Sequence, residues 1–270
     1  MPKRRVLLLW GLIGLMVLAG CGKRVNKKNL GPDEYFEYAK HKFDKGKYLD
    51  AITEFSVIVL KFSGNPVIDD AQYYLAESHF KQGEYLIAVS EYQKLINDYP
   101  QSAYSVLAQF KVGLSYYKLS LRPALDQEFT KKALRSFQNF IEENPEHELR
   151  QDAERLHQES REKLARKKMI AATTYRKMGI YDAAVIYYDI IISQFYDTRQ
   201  VVNAVYWKGE SLYKLKKYIE AQNTFTTFVE KYPDHDQAKQ AKKRISKLAE
   251  LIKDRETNAA NELSDSDGRN

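Results

Sequence analysis

One cysteine, seven prolines, twelve glycines and two tryptophans are spread over 270 residues. A single cysteine leaves no internal disulfide framework and no cysteine-based zinc site. So few helix breakers exclude collagen-like and low-complexity chains, and they argue against an all-β fold, whose turns would need many more. What the chain has instead is a 44% hydrophobic content with 20 tyrosines and 12 phenylalanines, enough to build a large core and to exclude disorder of the whole chain. The formal charge of +7 includes Lys3, Arg4 and Arg5 at the start. The remaining lysines are interleaved with acids, which reads as a solvated surface and not as a nucleic-acid interface.

Residues 1–20 begin with that basic cluster and continue in an apolar run from Val6 to Val17. The run is shorter than the ~20 residues of a spanning helix, so a cleaved signal peptide is expected, with a membrane anchor as the other reading. It ends in Leu18-Ala19-Gly20-Cys21, which resembles a bacterial lipobox; acylation of Cys21 would then hold the body at a membrane. Gly22 stands after Cys21, where an Asp would resemble the inner-membrane retention signal of such lipoproteins, so the resemblance implies the outer membrane, facing the periplasm. Residues 21–31 read as an acylated tether.

A short phrase recurs along the rest of the chain. Gly46-Lys-Tyr48-Leu-Asp-Ala51 through Phe55 returns as Gly83 to Tyr92, Gly179 to Tyr188 and Lys216 to Phe225, with a weaker copy from Lys131 to Phe137. Ala51 and Ala88 are 37 residues apart, as are Ala184 and Ala221, and a small residue lies twelve positions before each: Ala39, Ala76, Ala172 and Gly209. Gly113 has this role before Ala133, displaced by an insertion around Leu121 to Phe129. Small residues at both positions let two antiparallel helices approach, and the aromatic four residues after the second fills the gap to the next repeat. Pro100, Pro145 and Pro233 then stop the second helix.

This pattern resembles the tetratricopeptide repeat and predicts an all-α protein, a right-handed α-superhelix of five repeats with a C-terminal capping helix. Repeats 1 to 3 occupy residues 32–146. The stretch from His147 to Met178 lacks Gly and Pro, predicting one long helix that, with repeats 4 and 5, makes up residues 147–233. The capping helix covers 234–254, and the polar residues 255–270 are expected to be a disordered tail.

No metal, nucleotide or hydrolase motif occurs, and the five histidines lack ligand spacing, so neither an enzyme nor a cofactor is expected. What recurs on the first helices is aromatic: Phe36, Tyr73 and Phe110 at intervals of 37, and Phe43, Phe80 and Tyr117 at the same interval. Seven residues separate the two members in each repeat, placing both near one face. These rings either pack between helices or line a groove for an extended peptide, with Lys40, Lys81 and Lys118 available for a carboxylate. Met169 and Arg176 replace the pair in the fourth repeat, so the groove is expected to change character beyond the long helix.

Lipobox, tether, five repeats, an insertion in the third carrying Asp126-Gln-Glu-Phe-Thr130, and Arg161-Glu-Lys-Leu-Ala165 leading into Tyr175 and Gly179 together resemble the BamD family of tetratricopeptide lipoproteins. The resemblance covers about residues 18–252. It implies a non-enzymatic scaffold of the outer-membrane β-barrel assembly machine. Residues 32–146 would take unfolded outer-membrane proteins by their C-terminal aromatic-ending segments, while residues 147–233 would hold a BamA-type barrel protein through its periplasmic domains, with other assembly lipoproteins as further partners. Another periplasmic repeat lipoprotein, such as a pilotin or a cell-wall synthesis coordinator, is the alternative. The first repeat departs from the pattern, ending Phe62-Ser-Gly-Asn-Pro66 where Tyr-Pro would stand.

Overall fold

The two helices that carry each small residue and its later alanine pack against each other. The computed structural model describes residues 27–267 and is helical throughout, with eleven α-helices and no strand among the described residues. The expected signal peptide 1–20, Cys21 and most of the tether lie outside the described residues. Repeat 1 is α1 (Pro32–Asp44) and α2 (Tyr48–Lys61), repeat 2 is α3 (Val67–Gln82) and α4 (Tyr85–Asp98), and repeat 3 is α5 (Ser105–Leu119) and α6 (Glu128–Glu143). The long α7 (Arg150–Lys177) leads into α8 (Tyr181–Gln194); α9 (Gln200–Lys214) and α10 (Tyr218–Lys231) form repeat 5, and α11 (Ala238–Asp267) closes the stack.

The spacing residues are fully buried. Ala39, Ala51, Ala76, Ala88, Ala133, Ala172, Ala184 and Ala221 all have 0% exposure, as do the aromatics Phe55, Tyr92, Phe137, Tyr188 and Phe225. Each such ring contributes about 1.5–3 kcal/mol by burial, and packing it against a small residue lets the helix pair close up. The aromatic fills its own repeat first: Phe137 lies on Gly113 and Phe225 on Gly209. Phe55 also stacks on Tyr74 of the next repeat, ring centres 5.7 Å apart, so both contacts share one ring. The motif glycine ends the first helix in the left-handed conformation, with Gly83 at φ +86° and the Gly83 and Glu84 amides donating back to the carbonyls of Phe80 and His79.

α7 matches the long helix expected from the sequence and serves two repeats. Ala153 and Leu156 complete the repeat 3 core, Leu164 and Ala165 pack with Phe195, and Ala172 joins Ala184 and Tyr188 in repeat 4. The insertion at 120–127 is held from inside by Gln127, 3% exposed, whose amide reaches the carbonyls of Arg122 and Asp126, each at 2.9 Å. Lys163 and Lys167 of α7 hold it from outside through Ser120 Oγ and the Leu125 carbonyl.

Two expected boundaries are corrected. The end of the tether belongs to repeat 1: Lys27 pairs with the buried Glu54 carboxylate and Leu30 packs against the repeat 1 core. The expected disordered tail is helical as far as Asp267, continuing α11 without interruption. Its polar composition suggested disorder, yet 255–267 contains no Gly or Pro to stop a helix.

Candidate functional site

First helices form the inner side of the stack: α1 packs directly on α3, α5 on α7 and α7 on α9, whereas second helices make no comparable contact with one another. Along this inner face each step from one first helix to the next is bridged by a cation over an aromatic ring. Lys40 Nζ lies 4.9 Å from the centre of Tyr74, Lys111 Nζ 5.1 Å from Phe80, and Lys163 Nζ 5.1 Å from Tyr117. The ladder continues with Arg176 at 3.8 Å over Trp207 and Arg244 at 4.6 Å over Tyr213. Contacts of this kind contribute about 0.5–2 kcal/mol.

The six rings expected to pave a channel do not share one environment. Tyr73 and Phe110, both 7% exposed, belong to the core: Tyr73 stacks on Tyr104 with centres 4.2 Å apart, and Phe110 meets Phe140 at 5.6 Å. Burial pushes the Tyr73 hydroxyl pKa far up. Tyr104 and Phe140 cover these two rings, which pack between helices. Phe36, Phe43, Phe80 and Tyr117 are half-buried. Phe36 and Phe43 converge on Tyr74 at 5.7 and 5.3 Å, while Phe43, Phe80 and Tyr117 lie on three successive first helices.

Tyr74 is the ring that repeat comparison misses. It touches Phe36, Phe43, Phe55, Tyr104 and Lys40, yet a 37-residue period aligns it with Glu37 and Lys111 and hides its role. Tyr104 is pushed up to about 12, chiefly by burial and then by the neighbouring Tyr74 and Asp70; Tyr117 reaches about 12 through burial and its bond to Glu159. Both hydroxyls therefore remain protonated donors at neutral pH. Of the lysines expected to receive a carboxylate, Lys40 is already bonded to Asp44 at 2.5 Å, and Lys81 and Lys118 are exposed.

Among the described residues no group of His, Cys, Asp and Glu gathers as a metal site, and no helix is long and apolar enough to cross a membrane. The arrangement is one of ring faces and amphipathic cations along a curved helical surface, a chemistry of polypeptide recognition.

The family model for YfiO, described as outer membrane lipoprotein, matches residues 28–218. The chain belongs to that family. A tetratricopeptide repeat model also matches residues 203–235, which are α9, α10 and the turn that follows. The YfiO family is the BamD group that the lipobox and repeats resemble, so this chain is an outer membrane lipoprotein built on a tetratricopeptide solenoid. Among solved structures, it is similar to the TPR2AB domain of yeast Sti1 in complex with pHSP90, at 16% identity over 83% of this chain and 84% of that one, with a TM-score of 0.40. It is also similar to a tetratricopeptide repeat protein from Parabacteroides merdae, at 18% identity over 82% and 73% of the two chains, TM-score 0.36. No curated protein matches the sequence.

Proposed function

We propose that this YfiO-family protein is a non-enzymatic scaffold of outer-membrane β-barrel assembly, facing the periplasm and tethered through acylated Cys21. Its first three repeats receive C-terminal segments of unfolded outer-membrane proteins, and its last two repeats hold a BamA-type barrel protein by the periplasmic domains. The observation that supports this reading is the half-buried row Phe43, Phe80 and Tyr117 on three successive inner helices of a chain in this family. A half-buried ring can accept an aromatic side chain on its open face at a cost in ordering that is already met by the packed helix. Acylation keeps the solenoid at the membrane, so weak contacts with a nascent strand act at high local concentration.

The test uses Phe43→Ala with Phe80→Ala, leaving the core rings Tyr73 and Phe110 untouched. Affinity for a peptide ending in an aromatic residue should fall about tenfold or more, as for hot-spot rings, with the helical circular dichroism unchanged. Equal affinity in the folded double variant defeats the groove, and co-purification of a secretin or a peptidoglycan synthase in place of a barrel protein defeats the partner assignment.

A further inference from the structure

Charge balance along the inner ladder differs between its two ends. In the first three repeats the cations are compensated: Lys40 is bonded to Asp44, Lys111 reaches the buried Glu77 at 2.6 Å, and Lys163 lies beside Glu159. From the C-terminal end of the long helix onward the balance is incomplete. Arg176 lies 3.8 Å over the centre of Trp207 and beside the Tyr188 hydroxyl, with no carboxylate partner among the described residues, and its Nε is buried without a hydrogen bond. The one acid at hand, Glu210, is taken by both arms of Arg244 at 2.8 and 2.9 Å. Lys214, Lys243 and Lys247 are exposed and, among the described residues, unpaired.

These groups surround two adjoining recesses that share Trp207 and Glu210. One, of about 150 Å³, lies between Arg176, Tyr181 and Lys214. The other, of about 380 Å³, lies between Tyr206, Arg244, Lys243 and Lys247. Both open to solvent on one side, which suits side chains of a polypeptide lying across them better than a sequestered small molecule.

We propose that the two recesses form one docking site for an acidic peptide segment of a partner polypeptide. The segment lays an apolar side chain against Trp207, with carboxylates toward Arg176 and Lys214 on one side and toward Lys243 and Lys247 on the other. The argument is one of complementarity. Four cations without a local acid leave the rim of the recesses positive and complementary to carboxylates, and they flank the residue types, Trp, Tyr and Arg, that anchor protein interfaces. Arg176 is half-buried, which strengthens its charge contact relative to open water, whereas contacts to the three exposed lysines are screened by salt. A flat bilayer is poorly shaped to enter a recess on the inner side of a coil, between α7, α9 and α11. The proposal rests on this chain's own side chains and not on which machine it serves.

The chain carries its own reporter, since Trp10 and Trp207 are its two tryptophans. In the full-length chain with Trp10→Phe, emission from Trp207 is followed while an octapeptide with a phenylalanine flanked by glutamates is added. A saturable change is expected, with affinity about tenfold lower in Lys214→Gln with Lys243→Gln, two exposed positions outside the core, and falling with added salt. The neutral peptide with glutamine for glutamate should bind at least tenfold more weakly. The proposal is overturned if emission stays constant, if the neutral peptide binds equally well, if the double variant binds as the parent does, or if only vesicles containing 30% phosphatidylglycerol change the signal.

Discussion

The ring of Phe137 rests directly on the backbone of Gly113: a Cβ at position 113 would lie 2.9 Å from its Cε1 atom. Phe225 bears the same relation to Gly209, at 2.8 Å. Elsewhere in the stack an alanine fills this place, so these two helix pairs are set closer to their aromatics.

Gly113→Ala and Gly209→Ala are therefore expected to destabilise the protein despite improving helix propensity. The propensity gain is about 1 kcal/mol, whereas overpacking costs roughly 1–3 kcal/mol. Phe137 has no exposure and meets Phe110 at 5.8 Å, leaving it little room to swing aside. Denaturant midpoints should fall for both variants, and Phe137→Leu should restore part of the loss in Gly113→Ala. A raised midpoint would mean that the ring yields.

Lys216 invites the opposite change. It occupies the turn position that Gly83 fills in repeat 2, at φ +59°, and its amide and that of Lys217 donate to the carbonyls of Tyr213 and Leu212. A side chain in the left-handed region costs about 1 kcal/mol and glycine adds roughly 0.4–1 kcal/mol of unfolded-chain freedom, so Lys216→Gly should stabilise repeat 5 by up to about 0.5 kcal/mol. Thermal unfolding of the single variant decides it; no gain or a loss rules out strain at this turn.

Asp197 gives the C-terminal half an acid-sensitive joint. Arg161 of α7 binds it with two nitrogens, at 2.7 and 2.5 Å, and also reaches the Gln194 carbonyl at 2.8 Å. The hydrogen-bonded guanidinium holds the Asp197 carboxyl below its ordinary value of 3.8. A depressed carboxylate stabilises the fold above its unfolded pKa, and that contribution disappears as pH falls through the lower folded value. Asp197→Asn should accordingly lower the thermal midpoint at pH 7, with the gap to the parent protein narrowing below about pH 4, where the unfolded carboxylate begins to protonate. A gap independent of pH would leave the pair without electrostatic weight.

Positions where sterics allow one size of side chain were legible in the sequence. Ala39 with Ala51, Gly113 with Ala133 and the aromatics four residues later show up as repeats because any larger or smaller group would change the helix spacing. Depth was not legible in the same way. Phe36 and Tyr73 hold equivalent places in the period, but Tyr73 is covered by Tyr104, a ring that has no counterpart in the repeat pattern. Diagonal contacts were hidden for a related reason. Phe43 meets Tyr74, Phe80 meets Lys111, Arg176 meets Trp207 and Tyr213 meets Arg244, each at an interval of 31 residues, a register that self-comparison at 37 does not align. At Arg176, which the period aligns with Phe43 and Phe80, the cation stands on the earlier helix and the ring, Trp207, on the later one.

α7 runs 28 residues without a break, about 42 Å at 1.5 Å per residue, and it has buried contacts in repeat 3 at one end and repeat 4 at the other. A linker would let the two halves wander; a continuous rod makes their separation a fixed gauge. Polypeptides engaging both ends at once must match that length, and a force applied to the last repeat is felt at the third.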